Sequence, residues 1–485
     1  MSRYIIGLDE GTTSARSVVY DTKTNSIVLT EKKTFRQYFP HPGWVEQNAQ
    51  ELVNAQLYTL KAVLKNINPR DVVGIGITNQ RETVIAWDSA TGKPIYNAIV
   101  WQCRRTADYI DSLSKAKKAL IKEKTGLIPD AYFSASKMKW ILDNVPVSRQ
   151  LLKEGRLRFG NVNTYLAYVL TGEFVTDPTN ASRTMLYNIK TLDWDDQLLK
   201  LFGIDRSTLP KIVNCDAIIG KCKDFGDILL CGMIGDQQSS LFGQSCVNAG
   251  MAKSTYGTGS FLLINTGTKL YDSDKLLNTV AYKIKGHMCY AIEGSIYSAC
   301  NVIEWLKNNL GLIDSPKDMD KLCYSIPDNE GVYLVPAFTG LGAPYWNSNA
   351  KCMLTGMTLG STKAHVARSV LESIAYNTRS IIEVLPESVR VKELRVDGGG
   401  SKNTFLLQFQ SDIIRKKVVK GLSSEATAMG AIYMVGLASG LYTLDDIKNM
   451  YKVDSIYEPK LKPALADKYY NEWQNNVKNS LRFDK

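Results

Sequence analysis

Two apolar runs joined by a turn rich in glycine and hydroxyl groups occur twice in this chain, and that recurrence limits the folds open to it. The first is Tyr4-Ile5-Ile6-Gly7-Leu8-Asp9-Glu10-Gly11-Thr12-Thr13-Ser14-Ala15-Arg16-Ser17-Val18-Val19-Tyr20. The second is Ala252-Lys253-Ser254-Thr255-Tyr256-Gly257-Thr258-Gly259-Ser260-Phe261-Leu262-Leu263-Ile264-Asn265. Each reads as strand, tight turn, strand. The match between Gly11-Thr12-Thr13-Ser14 and Gly257-Thr258-Gly259-Ser260 is short, but its context is alike. It indicates an internal duplication of one supersecondary unit. A boundary then falls near residues 245–252, giving units 1–247 and 248–485. The length of 485 residues agrees, because single cores rarely grow past ~250–300 residues.

A hairpin of this kind gathers backbone N–H groups, hydroxyls and, in the first copy, the Arg16 guanidinium around one small space. That is what a nucleotide phosphate requires. Asp9 would repel a bare phosphate but can hold a hydrated Mg²⁺ against it. An ordinary hairpin with a polar tip would read the same way. Elsewhere, short apolar strands deliver polar residues at their ends, where ligands gather in α/β architecture. Val72-Val73-Gly74-Ile75-Gly76-Ile77 delivers Thr78-Asn79-Gln80-Arg81-Glu82. Ile228-Leu229-Leu230-Cys231-Gly232-Met233-Ile234 ends in Gly235-Asp236-Gln237-Gln238, with a helix predicted from Ser239. A long helix is predicted over about 363–385, with Val366, Val370, Ile374 and Ile381 inward. Glu393-Leu394-Arg395-Val396 leads into Asp397-Gly398-Gly399-Gly400-Ser401-Lys402-Asn403 and then a helix. Three glycines between strand and helix suit a ligand approaching the backbone, or the geometry of the turn alone. No P-loop or Rossmann fingerprint occurs, so a nucleotide would be held by hairpins and a glycine turn.

Composition removes other classes. At 44% hydrophobic and 22% charged, the chain is an ordinary globular protein. The net charge of +11 is dispersed, and the basic run 115–124 lacks the interleaved aromatics of a single-strand binding groove, so no nucleic acid is expected. The nine cysteines are scattered without zinc spacing and read as reduced thiols. The three histidines are far apart, which argues against a His-based triad. No signal peptide or membrane-spanning run is seen, so a cytoplasmic protein without membrane insertion is expected.

In this order, the motifs resemble the FGGY carbohydrate kinases over nearly the whole chain. The runs that carry it include Asp9-Glu10-Gly11-Thr12-Thr13-Ser14, Pro42-Gly43-Trp44-Val45-Glu46, Gly76-Ile77-Thr78-Asn79-Gln80-Arg81-Glu82-Thr83 and Asn97-Ala98-Ile99-Val100-Trp101-Gln102-Cys103-Arg104-Arg105. Asn180-Ala181-Ser182-Arg183-Thr184-Met185, Gly235-Asp236-Gln237-Gln238, Tyr256-Gly257-Thr258-Gly259 and Val396-Asp397-Gly398-Gly399 continue it. The members that phosphorylate glycerol are the most similar. The resemblance implies an α/β fold of two actin-like, ribonuclease-H-like domains flanking a nucleotide cleft. It implies ATP-dependent phosphorylation of glycerol to sn-glycerol 3-phosphate, with Mg²⁺ as cofactor, in a homodimer or homotetramer. It assigns Asp236 as catalytic base. Arg81, Glu82, Tyr132, Asp236 and Gln237 match glycerol-binding groups, and Trp101 and Phe261 an aromatic wall. Thr12, Thr13, Ser14, Arg16, Thr258, Gly399 and Asn403 match nucleotide contacts. Asp9, with Asp236, matches the metal position.

The chemistry agrees independently. Carboxylates accept from the hydroxyls of a triol, and an arginine donates to them. A wrong substrate would leave such buried groups unpaired, which discriminates strongly. Phosphoryl transfer asks mainly for in-line placement, charge neutralisation and one base. Rival readings are a related kinase for a tetritol or pentulose, an actin- or chaperone-like ATPase, and a catalytically weak regulator. The chain departs from the family at Glu10, where glutamine is usual, and at Cys300 and Glu304, where glycine and glutamine are usual. The segment Lys221–Leu230 is short and carries neither the glycine-rich loop for fructose 1,6-bisphosphate nor a histidine to phosphorylate. Neither control is therefore expected.

Overall fold

The computed structural model describes residues 3–484. Two open sheets dominate it. The first runs in the order Ile218–Cys222, Ile228–Gly235, Val72–Asn79, Tyr4–Glu10, Ser14–Asp21, Ser26–Thr34. Its first three strands in sequence form an antiparallel meander, and Tyr4–Glu10, Val72–Asn79 and Ile228–Gly235 pair in parallel. The second sheet runs Leu277–Ile284, His287–Ile296, Ser260–Gly267, Ala252–Tyr256, Glu393–Asp397, Lys417–Gly421, Val453–Tyr457. Ala252–Tyr256 and Ser260–Gly267 are antiparallel, while Ala252–Tyr256, Glu393–Asp397 and Lys417–Gly421 are parallel. Each sheet thus pairs an antiparallel hairpin with two parallel strands and closes on an antiparallel edge. The second differs by one added strand, Leu277–Ile284. The fold is mixed α/β.

The parallel strands of the first sheet are buried over nearly their whole length, as their apolar runs require. On one face of the first sheet lies Ala49–Leu64, started by Asn48, whose side chain accepts from the Gln50 and Glu51 amides. On the other lies Ala426–Ala438, a helix contributed from far along the chain and apolar nearly all round. Its approach explains a strand glycine. A Cβ at Gly76 would stand 2.5 Å from the Ala431 carbonyl oxygen, so the helix seats on the sheet only because that position is bare. Gly243 meets the same helix, where a Cβ would stand 1.9 Å from the Ala426 carbonyl oxygen. The helix therefore ties sequence after residue 420 to the sheet built from residues before 236.

Two element boundaries differ from the sequence reading. The helix predicted from Ser239 begins at Asp236, with Gly235 as its N-cap. The long helix spans Lys363–Glu383 and stops short of 385. Pro386 disfavours helical backbone in the residue before it, so the last turn unwinds. Seven of the nine cysteines are buried and two half-buried, all of them free thiols. No helix among the described residues is long and apolar enough to cross a membrane.

Candidate active site

The strand ends and the two hairpins meet around a cavity of about 160 Å³. Thr12, Arg81, Glu82, Trp101, Tyr132, Asp236 and Gln237 line it from the first sheet's side, and Thr255, Gly257, Thr258, Gly259 and Phe261 from the second hairpin. A larger cavity of about 660 Å³ lies beyond Asp397, lined by Ser26, Ile27, Leu422, Glu425 and Tyr451 among others. Size favours the larger cavity and chemistry the smaller. Only the smaller brings an arginine, two acids and an aromatic wall together, so it is the candidate site.

Arg81 and Glu82 follow the strand Val72–Asn79 after one residue, Gln80. They are nearly fully buried, which excludes a surface ion pair. Glu82 takes φ +61°, a left-handed conformation that costs a non-glycine residue energy and recurs at functional sites. Asp236 opens the helix after Ile228–Gly235. Its Oδ1 accepts from the Gln237 amide at 2.7 Å and lies 3.3 Å from Arg81 Nε. Burial raises the Asp236 carboxyl above its usual range, held back by the nearby Arg81 and Lys253 charges. The wall is edge-packed. The Trp101 ring meets Tyr132 at 5.6 Å and 85° and Phe261 at 6.3 Å and 77°. Trp101 also donates from Nε1 to Thr12 Oγ1 at 3.0 Å, so the wall is joined to the first hairpin and is not mere core packing.

Three charged residues that sequence reasoning gave no role surround this site. Arg183 and Glu293 join Arg81 and Glu82 in a buried ion cluster, with Arg81 Nη1 2.6 Å from Glu293 Oε2 and Arg183 Nε 2.5 Å from Glu82 Oε1. Lys253 donates to Gln237 Oε1 at 2.6 Å and to Thr255 Oγ1 at 2.8 Å. Burial pushes the Lys253 ammonium down to about 8 against the pull of Asp397 and Asp236. Arg183 stood within a quoted motif. Glu293 interrupts a buried, mainly apolar strand, and that interruption was the available signal. Lys253 lies in the polar strand Ala252–Tyr256, which gives no such signal.

The remaining sequence-predicted residues lie outside this cavity's lining. Arg16 pairs with Glu425 at 3.0 Å and approaches Asp9 at 3.8 Å. Burial pushes the Asp9 carboxyl up to about 6, opposed by Arg16. Ser14 is buried at the start of the second strand and Thr13 is exposed at the turn. In the glycine turn, Gly398 has φ +83° and a Cβ at Gly400 would stand 2.6 Å from Cys300 Sγ, whereas one at Gly399 would meet nothing within 4 Å. Two of the three glycines therefore answer to geometry, and the third faces open space. Asn403 caps the following helix, its Oδ1 accepting from the Leu406 amide at 2.7 Å. Glu10 is buried with neither carboxylate oxygen partnered, and burial drives its carboxyl well upward. Glu304 is exposed, in the first turn of Asn301–Asn308.

A small polar cavity with a carboxylate at its edge, flanked by two glycine- and threonine-bearing hairpins, defines a phosphotransferase acting on a small polar molecule. Residues 4–243 match the N-terminal domain of the FGGY family of carbohydrate kinases, and residues 252–439 its C-terminal domain. The chain belongs to that family. It is 46% identical to a glycerol kinase of Thermococcus kodakarensis, covering 100% of this chain and 98% of that protein. It is likewise 46% identical to glycerol kinase 2 of Thermotoga maritima, covering all of both. A crystal structure of Plasmodium falciparum glycerol kinase with ADP superposes with TM-score 0.92 at 37% identity, covering 99% of this chain and 98% of that one. A xylulose kinase of Lactobacillus acidophilus shares the fold, with TM-score 0.89 at 22% identity.

Proposed function

We propose that the chain transfers the terminal phosphoryl group of ATP to glycerol, forming sn-glycerol 3-phosphate, with Asp236 as general base. The observation that carries this is the single cavity lined by Asp236, Arg81, Glu82 and the Trp101–Phe261 wall, with the two threonine-bearing hairpins on its rim. Glycerol's hydroxyls donate to Glu82 and Asp236 and accept from Arg81, and its C–H edge lies along the aromatic rings. Asp236 takes the proton from the attacking hydroxyl. Its pKa, raised by burial, strengthens it as a base. Thr12 and Thr258, one on each side, steady the phosphate chain, with Arg16, Thr13, Ser14, Gly399 and Asn403 along its length. Closure of the cleft excludes water, which would otherwise compete as acceptor.

The acids present suit a magnesium ion. Asp9 and Asp236 influence each other electrostatically, and no cluster of three or more protein ligands occurs among the described residues. That donor set fits a cation held by one or two carboxylates, water and phosphate oxygens. When bound, Mg²⁺ would neutralise phosphate charge.

The division at 247/248 belongs to the same reading. So does the lack of control by fructose 1,6-bisphosphate, since Ile218–Cys222 and Ile228–Gly235 are joined by one short turn through Lys223–Phe225. A purified-protein polyol panel tests the assignment. Glycerol is expected to be the best acceptor, and faster turnover of D-xylulose would reverse it. Added fructose 1,6-bisphosphate is expected to leave the rate unchanged.

A further inference from the structure

Glu293 sits in the middle of His287–Ile296, a strand of the second sheet, yet most of its hydrogen bonds go to the first half of the chain. One oxygen accepts from Arg81 Nη1 at 2.6 Å. The other accepts from Arg81 Nη2 at 3.2 Å, from Arg183 Nη2 at 3.0 Å and from Ser295 Oγ at 3.1 Å. Arg183 passes the constraint on, donating from Nε to Glu82 Oε1 at 2.5 Å. The Arg183 guanidinium also lies over the Tyr132 and Phe133 rings, 5.5 and 5.1 Å from their centroids. Two positive and two negative side chains, each at most 2% exposed, therefore form one chain of contacts beside the cavity.

Arg81 and Glu82 do not hold their directions unaided. The Arg81 guanidinium has two other acceptors within reach, Gln238 Oε1 at 3.1 Å from Nη1 and Asp236 Oδ1 at 3.3 Å from Nε. Glu82 stands on strained backbone, and only Arg183 bonds its carboxylate among the hydrogen bonds of the described residues. A bidentate fork from a carboxylate fixes the plane of a guanidinium, which one side-on contact does not.

We propose that Glu293 is a positioning residue for polyol binding, fixing Arg81 directly and Glu82 through Arg183, so that the polyol site is complete only when the two halves are in register. The proposal rests on the reading of Arg81 and Glu82 as polyol ligands. It makes the second half, which also supplies much of the nucleotide site, a contributor to glycerol affinity without touching glycerol. Asp236 and the wall then complete a site whose orientation comes from across the cleft.

The test is calorimetric titration of glycerol and, separately, of ADP, well below the unfolding temperature of each variant. Glycerol binding by the wild-type protein checks the underlying reading, which fails if none is seen. Glu293→Gln is expected to raise the glycerol Kd tenfold or more and leave the ADP Kd within twofold. In turnover, KM for glycerol should rise by more than kcat falls. Wild-type binding followed by a glycerol Kd within twofold in Glu293→Gln would overturn the proposal. An ADP Kd raised as much as the glycerol Kd would also overturn it, because that is general loosening of the fold. If the single variant does not fold, Glu293→Gln/Arg183→Gln removes one charge of each sign and carries the same comparison. Where both single variants fold, the double variant should cost no more glycerol affinity than the worse of them, since both act through one contact chain.

Discussion

Ser26–Thr34 and His287–Ile296 occupy equivalent places, each lying beside the hairpin of its own sheet and pairing with that hairpin's second strand. Their surroundings are opposite. Ser26–Thr34 is the edge of its sheet and alternates between exposed and half-buried positions. His287–Ile296 is covered by one further strand, is buried over most of its length and carries Glu293 into the first half. One supersecondary unit, used twice, carries a glycine- and threonine-bearing turn in both copies, while the strand beside the hairpin differs. In one copy that strand meets solvent. In the other it became part of the contact between the halves. The hairpin tips differ too. The first carries Asp9 and Arg16, and the second carries Lys253 behind a turn with two glycines. On the proposed reading the two copies divide the work, with the base and the polyol-facing acid and arginine from the first half, orientation through Glu293 from the second, and phosphate contacts from both.

The sharpest break of that division is Asp236→Asn. Removing a general base should lower kcat by about 10²–10⁴-fold, with glycerol binding still measurable by calorimetry. Full activity would remove Asp236 from its role.

A pH series on stability probes Glu293. Burial pushes its carboxyl up, but Arg183 and Arg81 outweigh this and hold it at about 2, below the ordinary 4.5. The folded pKa is depressed, so Glu293 contributes stability above pH 4.5 that is lost as pH falls toward 2. The difference is on the order of 3 kcal/mol, and Glu293→Gln should flatten that acid limb in denaturant melts. An unchanged limb would mean the ion cluster does not couple to folding as described.

Thr258→Ala should weaken MgATP more than glycerol. A hydrogen bond to a charged group is worth about 1.5–3 kcal/mol, so KM for ATP should rise about tenfold or more. An equal rise in KM for glycerol would blur the division between the copies. Trp101→Phe keeps an aromatic face and loses the Nε1–Thr12 bond. That is worth about 1 kcal/mol, a rise of about fivefold in KM. At the small end, Val28→Thr on the exposed edge strand should shift stability by no more than about 0.5 kcal/mol, measured by denaturant midpoint. A loss of several kcal/mol there would mean that the edge is covered and the contrast with His287–Ile296 is false.

Much of the fold was legible because its signals are local. The two hairpins, the apolar strands at 72–77 and 228–234, the strand at 393–396 and the helix begun near 363 all appear from periodicity and turn chemistry over a few residues. The family resemblance reached the cavity residues for the same reason, since Asp236, Arg81, Glu82 and Thr258 each lie in a short distinctive run. What escaped depends on contacts between distant segments. Nothing near Glu293 announces Arg81, 212 residues away, and nothing near Gly76 announces the helix at 426–438 that needs its missing side chain. The helix start was misplaced by three residues because Asp236 was read as a strand-end ligand, while the backbone also makes it the first residue of a helix. The run of three glycines resolved only in three dimensions, where Gly398 and Gly400 serve the turn and Gly399 alone faces open space.

The most direct test of the whole account is ADP formation from MgATP by the purified protein, with and without glycerol, in wild type and Asp236→Asn. The account predicts fast ADP release only when glycerol is present, with an equal amount of glycerol 3-phosphate, and near-complete loss of that increment in the variant. Equal ADP release with and without glycerol would contradict it.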